Sequence, residues 1–322
     1  MAKLIVVCGA TGGLGGSVAR RMLTDGWKVR AITRNKESAG AKALLEAGAE
    51  LASANYDHVS SLKTAFEGAN AIFGVTNFFE YMFDNGAKAA EEKETQQIVN
   101  IATAANSIPT LEHLILHTLP SAEKLAGPKY AVPHMDSKDK AADKIKAELP
   151  DLAKKTTFLW LGMFASNFWA FPMMIPTELP NSTGSHVYLQ PIPASTPIYY
   201  AGDTETNTGA FVSAILAKPH ISTPAKYAFV YTEQGPFSEY LQAWKDATGK
   251  RATFVQISRA EYEDLWGKEI GGELAMMLES FAMESDWGKA HKGHVITAKD
   301  LGIAEGELVG VKDTLIREKH RL

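Results

Sequence analysis

Gly9-Ala10-Thr11-Gly12-Gly13-Leu14-Gly15 stands between two segments of opposite character. Before it runs Leu4-Ile5-Val6-Val7-Cys8, apolar throughout, as a strand buried on both faces must be. After it, Leu14, Val18, Met22 and Leu23 recur at helical spacing. The glycines therefore occupy a strand-to-helix turn. Gly9 suits the tight turn, Gly12 removes a side chain where a phosphate must approach the backbone, and Gly15 lets the helix lie close on the strand. The helix start adds unpaired N–H groups and a partial positive charge. The spacing is G-x-x-G-x-x-G. In this setting it predicts a cradle for the pyrophosphate of a dinucleotide.

Outward from the turn, the pattern repeats. Strands are expected at 27–33, 50–54, 71–75, 111–117 and 157–161, separated by helices at 39–47, 60–67, 87–105 and 134–149. Such alternation builds a parallel sheet with helices on both faces. The second half changes character. Residues 172–197 hold six prolines and read as a long irregular excursion. A helix at 207–216 should pack back on the sheet. Strands at 227–232 and 252–257 and helices at 237–248, 259–266 and 271–283 complete the chain, with no internal repeat. The expected fold is α/β, a Rossmann-type doubly wound parallel sheet with a smaller α+β substrate domain. The nucleotide-binding domain is expected at 1–157, with 198–217 packing back onto it. The smaller lid is expected at 158–197 and 218–322.

The charge balance, 33 basic against 37 acidic residues, gives a net charge of -4 and no electrostatic reason to expect nucleic acid or an anionic membrane as partner. The single cysteine, Cys8, excludes an intramolecular disulfide and a cysteine-based metal site, and no metal is expected. The most apolar segment, 158–175, is broken by Gly162, Ser166, Asn167 and Pro172, too short and interrupted for a membrane span. Met1-Ala2-Lys3 runs straight into the first strand, without a signal peptide. The expected location is cytoplasmic, where the sequon at Asn181 goes unused.

A cofactor lacking the 2′-phosphate calls for Asp or Glu at the end of the second strand. Thr33-Arg34-Asn35-Lys36 stands there, with no carboxylate before Glu37. The planar fork of Arg34 suits a phosphate and Lys36 adds a second positive charge. NADP(H) is therefore the expected cofactor rather than NAD(H).

Together with Val75-Thr76-Asn77-Phe78, His134-Met135-Asp136-Ser137-Lys138 and Gly162-Met163-Phe164-Ala165-Ser166-Asn167, these segments resemble the NmrA-like family, its fungal members in particular. This is an atypical branch of the short-chain dehydrogenase/reductase superfamily. Some members are NADP-binding regulators or redox sensors with little turnover; others are reductases of secondary metabolism. The resemblance implies that Thr11, Gly12, Gly13 and Leu14 cradle the pyrophosphate. Asn55 and Tyr56 would lie along the adenine, although the superfamily often has Asp at the position of Asn55. Thr76, Asn77 and Phe78 would line the ribose and nicotinamide, Lys138 would bond the nicotinamide ribose, and Met163 and Asn167 would close the nicotinamide side.

The superfamily normally reduces with a Tyr-x-x-x-Lys pair. His134-x-x-x-Lys138 stands in its place, with both residues on one helical face. Three assignments stay open: Lys138 donates the proton, His134 donates it, or neither does and the site only binds nucleotide. Asp136 reads as a first-turn carboxylate favoured by the helix dipole, and His117 as a satisfied strand-end histidine. Phe79, Tyr81 and Met82 follow the fourth strand, and Phe164 and Trp169 the sixth, at the edge where ligands bind in such folds. Trp266 and Met277 would cap this apolar pocket. It suits a flat, bulky, weakly polar ligand. The function expected is NADPH-dependent hydride transfer to a C=O, C=N or conjugated C=C of an aromatic or alkaloid-like molecule. The resemblance adds a coupled cyclisation in secondary metabolism. The alternative is a redox-sensing regulator without turnover. Either way the protein is expected as a monomer or homodimer.

Overall fold

The expected alternation is laid out as one sheet in a computed structural model, which describes residues 2–304 and 306–322. The first half runs β1 (Leu4–Val7), α1 (Gly13–Thr24), β2 (Lys28–Ile32), α2 (Ala39–Glu46), β3 (Glu50–Ala52), α3 (Val59–Phe66), β4 (Ala71–Gly74), α4 (Phe78–Asn85), α5 (Ala87–Asn106), β5 (His113–His117), α6 (Ala122–Ala126), α7 (Pro133–Glu148), α8 (Pro150–Ala153) and β6 (Thr156–Leu161). The second half runs β7 (Met163–Phe164), α9 (Asn167–Ala170), β8 (Thr177–Glu178), β9 (Ser185–Gln190), β10 (Pro197–Gly202), α10 (Thr204–Ala217), α11 (Pro219–Ser222), β11 (Lys226–Val230), β12 (Glu233–Pro236), α12 (Phe237–Thr248), β13 (Arg251–Gln256), α13 (Arg259–Trp266), α14 (Ile270–Met283), β14 (Val295–Ile296) and α15 (Val311–Arg317).

Eight strands form the main sheet in the order β3-β2-β1-β4-β5-β6-β11-β14, every neighbouring pair parallel. Strand alternation divides its core into two layers. Val6, Leu114 and Leu116 join Ile98 and Ile101 of α5 on one face, whereas Ile5, Val7 and Ile115 join Val18, Met22 and Phe211 of α1 and α10 on the other. A continuously apolar strand such as β1 is the consequence of being covered twice. Two smaller three-stranded sheets, β12-β10-β7 and β13-β9-β8, lie beyond it.

The sequence expectation put all of 218–322 in the lid. Instead β11 and β14 extend the main sheet, β11 pairing with β6 from Lys226 to Val230 and β14 with β11. β6 is buried along its whole length and would otherwise present a bare apolar edge. Residues 172–197 are also less irregular than expected. β9 alternates out and in, but its inward side chains are His186, Tyr188 and Gln190, which masks the usual apolar period. The aromatic run after β4 is helical: Phe78 and Met82, one turn apart, are its buried side chains.

Candidate active site

The glycine turn has the geometry the sequence demands. Gly9 sits at φ +60°. A Cβ on Gly15 would lie 2.3 Å from the Gly9 carbonyl oxygen, so only glycine lets α1 come this close. Gly12 caps α1 without a side-chain bond, which leaves the first-turn N–H groups of Gly13 and Leu14 without helical acceptors. Thr11, Gly12 and Gly13 are exposed, with the Glu205 side chain of α10 beside Gly13. Tyr56 is tied to this turn: its hydroxyl accepts from the Gly9 N–H at 2.9 Å. Burial pushes the neighbouring Cys8 thiol up to about 12, which keeps it neutral and unreactive.

On the adenosine side, Arg34, Asn35 and Lys36 are exposed beyond β2. Arg34 pairs with Glu80 in the first turn of α4, and Asn77 Nδ2 lies 3.4 Å from the same carboxylate. The ion pair holds the Glu80 carboxyl below the usual range. The Asn55 side chain accepts from the Asp57 N–H at 2.9 Å, and its own N–H donates to Ser61 Oγ.

The inner end is organised by a carboxylate that sequence reading missed. Glu94 of α5 is 2 % exposed. Its Oε1 accepts from Thr76 Oγ1 at 2.8 Å, while its Oε2 accepts from Ser137 Oγ at 2.5 Å and Lys138 Nζ at 2.7 Å. Lys138 Nζ donates also to the His134 carbonyl at 2.8 Å and lies 5.9 Å from the Phe78 ring centroid. A second carboxylate serves His134. Glu273 Oε1, from α14, lies 2.9 Å from the His134 backbone nitrogen and 2.7 Å from its Nδ1. Both glutamates had a legible trace. Glu94 shares a helical stripe with Ile98, Ile101 and Ala105, and Glu273 with Met277 and Phe281. A carboxylate on an apolar stripe must find a buried partner.

Asp136 is structural: buried, it accepts from Ser121 Oγ at 2.5 Å and the Val132 N–H at 2.6 Å, and burial raises its carboxyl. His117 differs from the expectation of a satisfied histidine. Both its ring nitrogens are sealed without a partner among the described residues, as is Thr118 Oγ1. Burial, with Lys138 nearby, pulls His117 down to about 3 and keeps it neutral.

The apolar wall forms around His134. The Phe79 ring lies 5.4 Å from the imidazole and 5.4 Å from Phe171, and Phe78 lies 5.9 Å from the imidazole. Tyr81, on the same helix, is partly buried with Lys93 Nζ 5.5 Å from its ring. Met82 is wholly buried in a small core with Phe78 and Ala90. Met163 is buried in β7, and Asn167 opens α9 partly exposed. The Phe164 carbonyl accepts from the Tyr240 hydroxyl, and Arg321 lies 4.7 Å over the Trp169 ring. Trp266 and Met277 pack partly buried against the larger core. The structure thus joins Thr76, His134, Lys138, Phe78 and Phe79 in one cluster and Arg34 with Asn77 in another, whereas Trp169 lies with Ser166, Asp203 and Arg317. Among the described residues no acidic, histidine or cysteine cluster could hold a metal, and no helix is long and apolar enough to cross a membrane.

Comparison with known proteins places this geometry in a family. The model of the NmrA-like family matches residues 1–301. An NmrA-like family domain-containing protein of Dictyostelium discoideum is 24% identical over 294 residues, covering 87% of this chain and 88% of its own. The NmrA-like family domain-containing oxidoreductase himF of Aspergillus japonicus is 26% identical over 271 residues, covering 80% and 76%. Among solved structures, the negative transcriptional regulator NmrA in complex with NADP superposes with a TM-score of 0.75 at 20% identity, covering 99% of this chain and 97% of its own. Leucoanthocyanidin reductase from Vitis vinifera, in its binary complex with NADPH, gives 0.66 at 12%, covering 96% and 97%. On the match over residues 1–301, the chain belongs to the NmrA-like family.

Proposed function

We propose that this chain is an NADP(H)-dependent oxidoreductase that reduces a C=O, C=N or conjugated C=C of a bulky aromatic or alkaloid-like molecule, with a coupled ring closure in secondary metabolism, in the cytoplasm. Relatives named as oxidoreductases and fold neighbours solved with NADP or NADPH support it. One observation carries turnover over nucleotide sensing. Two proton-bearing side chains, one turn apart on α7, are each oriented by a separate buried glutamate beneath an aromatic wall. A site that only reports nucleotide needs neither arrangement.

The residues fit the cofactor. The exposed N–H groups of the glycine turn would take the pyrophosphate, Arg34 the 2′-phosphate and Lys138 the nicotinamide ribose. The nicotinamide, when bound, supplies hydride. Phe78, Phe79 and Phe171 exclude water from the reacting end, and the two glutamates hold the protonic groups in place.

Calorimetric titration with NADPH, NADP⁺, NADH and NAD⁺ tests the reading. The expected result is a preference of about 100-fold for the phosphorylated pair, ~2.7 kcal/mol, with NADPH bound at least as tightly as NADP⁺. Arg34→Ala should abolish the preference and leave NADH affinity nearly unchanged. Glu80→Gln should tighten NADPH and not NADH, because the 2′-phosphate must displace the Glu80 carboxylate from Arg34. Tighter oxidised nucleotide, indifferent to the phosphate, would instead identify the redox-sensing regulator.

A further inference from the structure

We infer that His134 and Glu273 form a proton-donating dyad, with Glu273 as its positioning residue and His134 Nε2 as the donor; this rests on the reductase reading above. An ionised carboxylate only accepts hydrogen bonds. Glu273 Oε1 accepts the His134 backbone N–H, and an ionised Glu273 can take the 2.7 Å contact to Nδ1 only from a proton on Nδ1. An ionised Glu273 thus sets the tautomer of the neutral ring. Nε2 is the acceptor in the neutral ring and the second donor in the imidazolium. Nε2 finds no partner among the described residues, yet unlike both His117 nitrogens it is not sealed from solvent. The ring around it is apolar, with Phe78 and Phe79 of α4 against its face. Of the other charged groups close by, Lys138 on the same helix is neutralised by Glu94 of α5 and donates to the His134 carbonyl. Lys138 is thus committed on two sides, whereas His134 is held on one side and open on the other.

The step balances. The proton leaves Nε2 and bonds to the substrate oxygen or nitrogen, which takes over the electron pair of the C=O or C=N bond. A bound nicotinamide would supply hydride to the carbon. The imidazole is left neutral, its Nδ1–H still on Glu273, and reloads from solvent through Nε2. The dyad also draws its two halves from distant parts of the chain, α7 under the main sheet and α14 in the C-terminal third.

The test is made on the full chain with ¹⁵N- and ¹³C-labelled histidine, His134 being assigned with a His134→Asn variant. At high pH the wild-type ring should show the Nδ1–H tautomer. Glu273→Gln keeps an acceptor for that proton and removes the carboxylate charge opposite the ring. Oxidation of bound NADPH by 9,10-phenanthrenequinone, a flat hydride acceptor, needs the protonated donor and falls as pH rises. In Glu273→Gln that fall should shift to lower pH, with NADPH affinity unchanged. An Nε2–H tautomer in the wild type, or an unmoved alkaline limb in the variant, overturns the dyad and leaves the reductase reading standing. NADPH bound but never oxidised overturns the reductase reading and the donor with it. The tautomer is read on wild-type protein, so an unfolded variant does not rescue the proposal.

Discussion

Lys138→Ala is expected to lower the unfolding free energy by about 3–5 kcal/mol, because it strands a buried carboxylate. Glu94 is 2 % exposed and Lys138 4 %. Thr76 and Ser137 still donate to Glu94 after the lysine is gone, which places the cost at the lower end of that range. The loss belongs to the pair rather than to the lysine, and a double-mutant cycle shows it. Glu94→Gln with Lys138→Met removes both charges at nearly constant volume, so stability should return to within about 1–2 kcal/mol of wild type. Turnover should not return, because the residue proposed for the ribose is absent in both variants. Urea unfolding and NADPH oxidation on wild type, Glu94→Gln, Lys138→Met and the double variant, with Lys138→Ala alongside, separate the two roles. If the double variant is as unstable as Lys138→Ala, the ion pair is not the cause. If it turns over normally, Lys138 has no part in the reaction.

Acid should weaken the fold well above the pH at which carboxylates titrate. His113 and His117 are buried and neutral, their values pulled down by burial to about 4 and about 3. Each unfolded histidine binds a proton near pH 6.5. Their contribution is therefore complete above pH 6.5 and is lost as pH falls below it, until the folded groups protonate in turn. At pH 4.5 the two together should cost about 5 kcal/mol, a large part of an ordinary domain's total stability. The two are separable. His113 Nε2 lies 2.8 Å from Thr157 Oγ1, whereas His117 has no partner to lose among the described residues. His117→Leu should remove about half of the loss, so its urea midpoint should fall much less than wild type between pH 7 and pH 4.5. Parallel losses in the two proteins would mean that another group governs acid unfolding.

The sheet and the glycine turn were legible because their signals are local. A run such as β1, or Gly9 and Gly15 placed around a helix start, states its own environment within a dozen residues. The helices α12 and α13 lie where the residue pattern put them, for the same reason. Arg34 was legible as the basic residue of the second strand's end, but its ion pair with Glu80 was not, being 46 residues away in sequence. Glu94 and Glu273 stood on apolar stripes that marked them as buried, but their partners were hidden by sequence separation. Those partners lie 44 and 139 residues away. β11 read correctly as a strand and was still assigned to the wrong layer, since apolar content fixes burial but not which neighbour supplies it. His117 was misjudged because a sequence does not say whether a histidine's partners exist.

The polar and apolar sides of the site come from different elements. Glu94, His134, Lys138 and Glu273 sit on α5, α7 and α14, locked to one another, while the rings that meet them belong to α4 and to the segment after β6. Phe79 lies against the His134 imidazole and Phe171 against Phe79, and neither ring carries a hydrogen bond of the network. Their exchange for other side chains should alter the shape a ligand must have while leaving the two glutamate pairs in place. Selection for a new ligand is therefore separable from selection for the reaction. Under the reductase proposal, the shape of the ligand and the chemistry done on it would be set by different elements of the fold.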